Sequence, residues 1–161
     1  MAHTFSREYD LKAAFLYNFS AFVEWPDSAF ARPDSPFVIG VLGADPFGTA
    51  LDEIVAGEHV NGRPVVVERF NRPEGTADCQ IVFISSSERR RLREILHYFR
   101  NRPVLTVADM PNFVDEGGSI GFTAGLHVGI KINPDPLRAA HLSMSPKLLR
   151  LAEVVARSTP P

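Results

Sequence analysis

Phe37-Val38-Ile39-Gly40-Val41-Leu42, closed by Gly43, is an apolar run with no polar residue alternating through it. A strand wet on one side would alternate, so this run reads as a strand covered on both faces, as in a parallel sheet between layers of helices. Asp45 and Pro46 follow, an N-cap residue and one suited to a first helical turn, and they predict a short helix carrying Leu51 and Ile54.

Downstream the pattern repeats. After a turn region from Gly57 to Gly62, Pro64-Val65-Val66-Val67 and Ile81-Val82-Phe83-Ile84 are strand candidates separated by the loop Asn71-Arg72-Pro73-Glu74-Gly75. Ser85 and Glu88 have capping-box spacing, and Leu92, Ile95, Leu96 and Phe99 then fall at i, i+3, i+4 and i+7, the stripe of an amphipathic helix. Val104-Leu105-Thr106-Val107 is a fourth strand, and Asp109-Met110-Pro111-Asn112 begins a turn or short helix closed by Gly117-Gly118. Ile120 and Phe122, then Leu126, Val128, Ile130 and Ile132, alternate with His127, Gly129 and Lys131, which predicts an antiparallel hairpin at the sheet edge. Ser145-Pro146 opens a last helix with Leu148, Leu151, Ala152 and Val155 inward.

Upstream, Leu11, Phe15, Phe19, Phe22 and Val23, widened by Leu16, predict a helix over 8–24 that Trp25-Pro26-Asp27 stops. The strand-helix order gives an α/β fold: a single three-layer domain, a mostly parallel β-sheet flanked by helices, with an antiparallel edge hairpin. Residues 8–157 form this domain; 1–7 are expected to be disordered or an expression-derived start, and 158–161 a flexible tail.

A chain of 161 residues fits one domain and buries enough surface to fold unaided. Lys plus Arg number 17 and Asp plus Glu 19, so a formal charge of −2 offers no broad field for a phosphate backbone, and nucleic acid is not expected as a partner. No run of 18 apolar residues exists, so direct membrane insertion is not expected, and the first ten residues lack the basic-then-apolar order of a secretory signal. The single cysteine, Cys79, cannot form an internal disulfide; beside a buried strand it reads as a small packed side chain rather than a reactive thiol.

Ligands of open parallel sheets bind beyond the strands' carboxyl ends, which makes Gly43, Asp45, Ser85, Ser86 and Asp109 the candidate ligand-binding residues. Gly43 and Gly48 have P-loop spacing, yet Thr49 stands where the lysine belongs, and no G-x-G-x-x-G passes through Gly40 and Gly43. Ser85 lacks the flanking glycines of a nucleophile elbow. The five histidines show no pair at i, i+4, so neither a metal site nor another cofactor is expected. No catalytic set can be assembled. Arg89, Arg90, Arg91 and Arg93 crowd the start of a helix, the unfavourable end of its dipole for cations. A solvated face explains them, and docking to an acidic surface is the alternative. Tyr17, Phe15, Phe19, Phe22 and Trp25 make the first helix region aromatic, for a core or for an interface. Arg89, Arg90, Arg93, Tyr17 and Trp25 are therefore the candidate partner-binding residues.

Lys12-Ala13-Ala14-Phe15-Leu16-Tyr17-Asn18-Phe19 with Phe22-Val23-Glu24-Trp25-Pro26 resembles the opening signature of the YfiR family. Five further blocks resemble it in order: 40–48, 79–88, 104–109, Phe113 with Gly117-Gly118, and 130–152. The resemblance implies a periplasmic protein, exported by a signal peptide not seen here, that represses a membrane-bound diguanylate cyclase by binding its periplasmic sensor region and so lowers cyclic di-GMP. Met1-Ala2-His3 would then replace that signal. Relatives are commonly dimeric, which implies a homodimer, and some carry disulfides; Cys79 matches a family cysteine without a partner in this chain. The family supplies no catalytic residues. A periplasmic small-ligand sensor using the strand-end crevice is the alternative reading.

Overall fold

The computed structural model describes residues 6–123 and 128–154. Helix α1 (Ser6–Phe22) leads into β1 (Val23–Glu24), a 3-10 turn (Asp27–Ala29) and β2 (Phe37–Leu42). Then come α2 (Ala50–Val55), β3 (His59–Val60), β4 (Arg63–Phe70), β5 (Ile81–Ile84), α3 (Leu92–Phe99) and β6 (Leu105–Ala108). β7 (Ile120–Thr123), β8 (Gly129–Ile132), α4 (Pro134–Ala139), β9 (Ser143–Met144), α5 (Pro146–Leu151) and β10 (Glu153–Val154) complete the described elements.

The main sheet runs β10-β8-β7-β6-β5-β2-β4-β3, with β4, β2, β5, β6 and β7 parallel in succession. Every residue of β2, β5 and β6 is buried, as the unbroken apolar runs required. Phe37, Ile39 and Val41 meet α1 and α2 through Leu16, Phe19 and Leu51, while Val38 and Leu42 meet α3 through Leu92 and Ile95. Successive residues of a strand point to opposite faces, so one strand supplies both cores and the domain has three layers.

Several local expectations move. Asp45 Oδ1 accepts from Phe47 N at 2.8 Å, making a tight turn of its own, so α2 starts only at Ala50. Ser85 does cap, its Oγ accepting from Ser87 N, but Ser86–Arg91 is 3-10 and α3 proper begins at Leu92. The capping box stays half-made because Ser85 N already donates to Leu42 O at 2.9 Å, and Glu88 turns to Ser87 and Arg91 instead. Leu11 is 49% exposed: α1 presents Ala13, Leu16 and Phe19 to the sheet, and Leu11 lies off that stripe. The helix also ends at Phe22, since Val23 and Glu24 pair with Met144 and Ser143.

The hairpin is present as β7 and β8, antiparallel from Ile120↔Ile132 to Thr123↔Gly129. β10 pairs in parallel outside β8, so α5 is shorter than its apolar pattern suggests; Leu151 is exposed, and Val155, Leu126 and His127 lie outside the described residues. At the opposite edge β3, inside what reads as a turn region, pairs antiparallel with the start of β4, which contains the expected strand 64–67.

Gln80, 1% exposed, ties the amino-terminal end of the sheet together. Its Oε1 accepts from Val38 N at 2.7 Å, its Nε2 donates to Ala29 O at 2.7 Å, and its backbone carbonyl accepts from Trp25 Nε1 at 3.0 Å. Gln80→Leu should cost about 1–3 kcal/mol for each of the two buried backbone groups it strands, Val38 N and Ala29 O, beyond its part-buried bond to Asp78 O, read by urea denaturation. A loss under about 0.5 kcal/mol in total would show that the clamp contributes no net stability.

Candidate functional site

The loops after β2 and β5 leave the sheet toward opposite layers, the arrangement that usually opens a ligand crevice. Here it is filled. Ala44 N donates to Ser87 Oγ at 2.9 Å, and Gly43 N donates to Phe70 O at 2.9 Å. Gly43 has φ +96°, and a Cβ added there would sit 2.6 Å from Ser87 Oγ and 2.7 Å from Glu88 Cγ. Asp45 is held by Arg69, whose guanidinium also forks onto Asp52 at 2.9 and 2.7 Å. These bonds hold the Asp52 carboxyl below its usual range. Ser85 is buried and spent as a cap. Gly43, Asp45 and Ser85 thus close the crevice with the protein's own atoms.

Asp109, at the end of β6, belongs to a different place. With Ser86 it lines a cavity of 890 Å³ between the first turns of α1 and the carboxyl ends of β6 and β7. Lys12 Nζ donates to Asp109 Oδ2 at 3.0 Å and also to Glu8, and Tyr9 Oη donates to the same Asp109 oxygen at 2.6 Å. Lys12 is only 4% exposed, and its ammonium sits 4.6 Å from the Tyr9 ring centroid and 5.7 Å from that of Phe122. Burial and the adjacent Asp109 push the Tyr9 phenol well above its ordinary range. Phe15, Met110 and Val128 supply apolar wall.

The sequence reading passes over Tyr9 and Lys12. A signal was there: Lys12 lies four residues before Leu16 and seven before Phe19, on the buried stripe, where a cation needs a partner. Which acid it finds depends on residues about a hundred positions away in the chain and is set by packing.

The partner-binding candidates do not converge. Trp25 packs edge-on to Phe37, ring centroids 5.0 Å apart, and is committed to Gln80; Tyr17 Oη donates to Glu58 Oε1 at 3.1 Å. Arg89 donates to Pro111 O at 2.7 Å and pairs with Glu116, and Arg91 binds Glu88 and Asn71 O. Arg90 and Arg93 are exposed. Glu116, Glu88 and the two carbonyls thus offset part of the dipole cost that the arginine run incurs.

Cys79 is 2% exposed, and burial, with Glu68 and Asp78 nearby, pushes its thiol up to about 12. Its Sγ fills the space over Gly40, where an added Cβ would come within 2.8 Å. Among the described residues no three His, Cys, Asp or Glu gather as a metal site, and no helix is long and apolar enough to cross a membrane.

The described residues form a three-layer α/β domain in which Ser87 and Glu88 crowd Gly43, Cys79 is buried and Ser85 caps the turn that follows it. The sequence profile of the YfiR/HmsC-like family matches residues 9–153, and the chain belongs to that family. It is a family of regulators rather than catalysts, consistent with a periplasmic setting. No curated protein matches the chain.

Lys12→Met leaves the Asp109 carboxylate without its cation and should cost about 3–5 kcal/mol in denaturant, with most of it regained in Lys12→Met/Asp109→Leu. Cys79 carries a pH signature. An unfolded thiol ionises near about 8.5 whereas the folded one holds its proton, so the unfolded state binds fewer protons and stability falls as pH rises above that value. Tyr9 adds a loss of the same sign above about 10. Melting curves of Cys79→Ala should lack the part of the decline that begins near 8.5; an unchanged decline would refute the assignment.

Proposed function

We propose that this protein represses a membrane-anchored diguanylate cyclase by binding its periplasmic sensor region, lowering cyclic di-GMP. The observation that carries this reading is the family match across 145 of 161 residues, since 9–153 is the whole three-layer domain. The packed switch point and the buried thiol agree with this reading, in which the domain acts by recognition. Repression is then a coupling free energy: the regulator binds the inactive form of the sensor region more tightly and shifts the cyclase toward it. Residues 8–157 act as the binding unit, as a homodimer in the periplasm.

Deleting the gene should raise cellular cyclic di-GMP, and the purified domain should retain the periplasmic region of a membrane-bound diguanylate cyclase of the same organism in a pull-down. Unchanged cyclic di-GMP together with no retained complex would rule this function out.

A second reading is favoured by one feature, the 890 Å³ cavity around Asp109, which has room for a metabolite. The domain then senses a small periplasmic ligand there, not at Gly43, Asp45 and Ser85, whose crevice is filled. A compound that raises the melting temperature of the wild type but not of Phe122→Ala supports this, and a metabolite screen with no such compound removes it.

A further inference from the structure

A second cleft, of 430 Å³ and lined by residues other than those of the Asp109 cavity, carries an unbalanced charge. Arg93, His97 and Arg100 follow each other at spacings of four and three along α3, so they share one face of the helix, and Arg102 joins them just beyond its end. All four are exposed at the cleft. Pro136 and Ala139 of α4 form part of the remaining wall. Two buried hydroxyls, Thr106 and Ser119, lie at its base, where Ser119 N donates to Thr106 Oγ1 at 3.0 Å.

The carboxylate at this cleft, Glu116, is already shared with Arg89, 3.6 Å from its Nη2. Arg102 spends its Nε on Tyr98 O at 2.7 Å and lies over the Tyr98 ring at 4.1 Å, which orients the guanidinium and leaves its terminal nitrogens free of that bond. His97 and Arg100 suit the carboxyl end of α3, where the helix dipole favours cations. Arg93 does not: it stands in the first turn, and the acids and carbonyls that hold Arg89 and Arg91 do not reach it. The result is three guanidiniums facing one engaged carboxylate in a chain of formal charge −2. The Asp109 cavity, by contrast, balances Arg7 and Lys12 with Glu8 and Asp109.

We propose that this cleft is an anion site for a phosphate group, either on a small phosphorylated ligand or on a phospholipid headgroup. A phosphate carries more charge than a carboxylate and offers several acceptor oxygens, which suits a cleft lined by three guanidiniums. The site is separate from the surface-recognition reading above, and failure of cyclase binding leaves it standing.

The purified domain is titrated with inorganic phosphate against sodium chloride at matched ionic strength, following melting temperature and binding heat. Saturable stabilisation beyond chloride is expected, weakened about tenfold or more in Arg93→Gln/Arg100→Gln, since each substitution removes a hydrogen bond to a charged group. Lys147→Gln, an exposed change on α5, should bind as wild type. In a second arm, sedimentation with phosphatidylglycerol and phosphatidylcholine vesicles separates the sources. Retention on the anionic vesicles that the double substitution abolishes assigns a headgroup, and phosphate binding without retention assigns a free phosphorylated ligand. The proposal is overturned if the domain shows no saturable phosphate binding and no vesicle retention, or if the folded double variant binds as well as the wild type.

Discussion

The structure depends on the two-sided burial of its central strands. β2, β5 and β6 expose nothing, so each must supply apolar side chains to two layers at once, and helices must cover both faces. That single constraint places α1 and α2 on one side and α3 on the other. It also forces the loops after β2 and β5 apart, which creates the switch point that Ser87 and Glu88 then fill.

Polar groups inside this frame are few and fully engaged. Gln80 joins β2, the Asp27–Ala29 turn and Trp25, and its backbone carbonyl also receives Leu105 N at 2.9 Å. Lys12 fastens α1 to the end of β6 through Asp109. Unpaired, either group would carry a full desolvation cost, so both fix the position of α1 and its following turn relative to the sheet more sharply than apolar packing alone. An aromatic cluster does the rest, with Phe15 and Phe19 against Phe122 at ring separations of 5.8 and 6.3 Å.

The two cavities differ in character. At the carboxyl ends of β6 and β7 Arg7 and Lys12 are balanced by Glu8 and Asp109, whereas in the cleft beside α3 and α4 three guanidiniums meet one carboxylate, Glu116. Such asymmetry orients whatever charged molecule meets the surface, because charge complementarity governs orientation and encounter more than raw affinity.

The sequence by itself determined the class of fold, since 37–42 is an apolar run that reads as a strand covered on both faces, 81–84 and 104–107 are further strands in alternation with helices, and the six family blocks fall in order along it. It also marked Cys79 as packed and the 120–132 alternation as a hairpin. Only the tertiary structure decided that Gly43, Asp45 and Ser85 close a crevice rather than line one, that Asp109 belongs with Tyr9 and Lys12, and that Val23 and Glu24 leave the helix for a strand. The physical reason is range. Hydrophobic period and capping act over a few residues and are written locally, whereas the partner of a buried lysine, or the hydroxyl that fills a gap beside a glycine, comes from a segment whose distance along the chain carries no local signal.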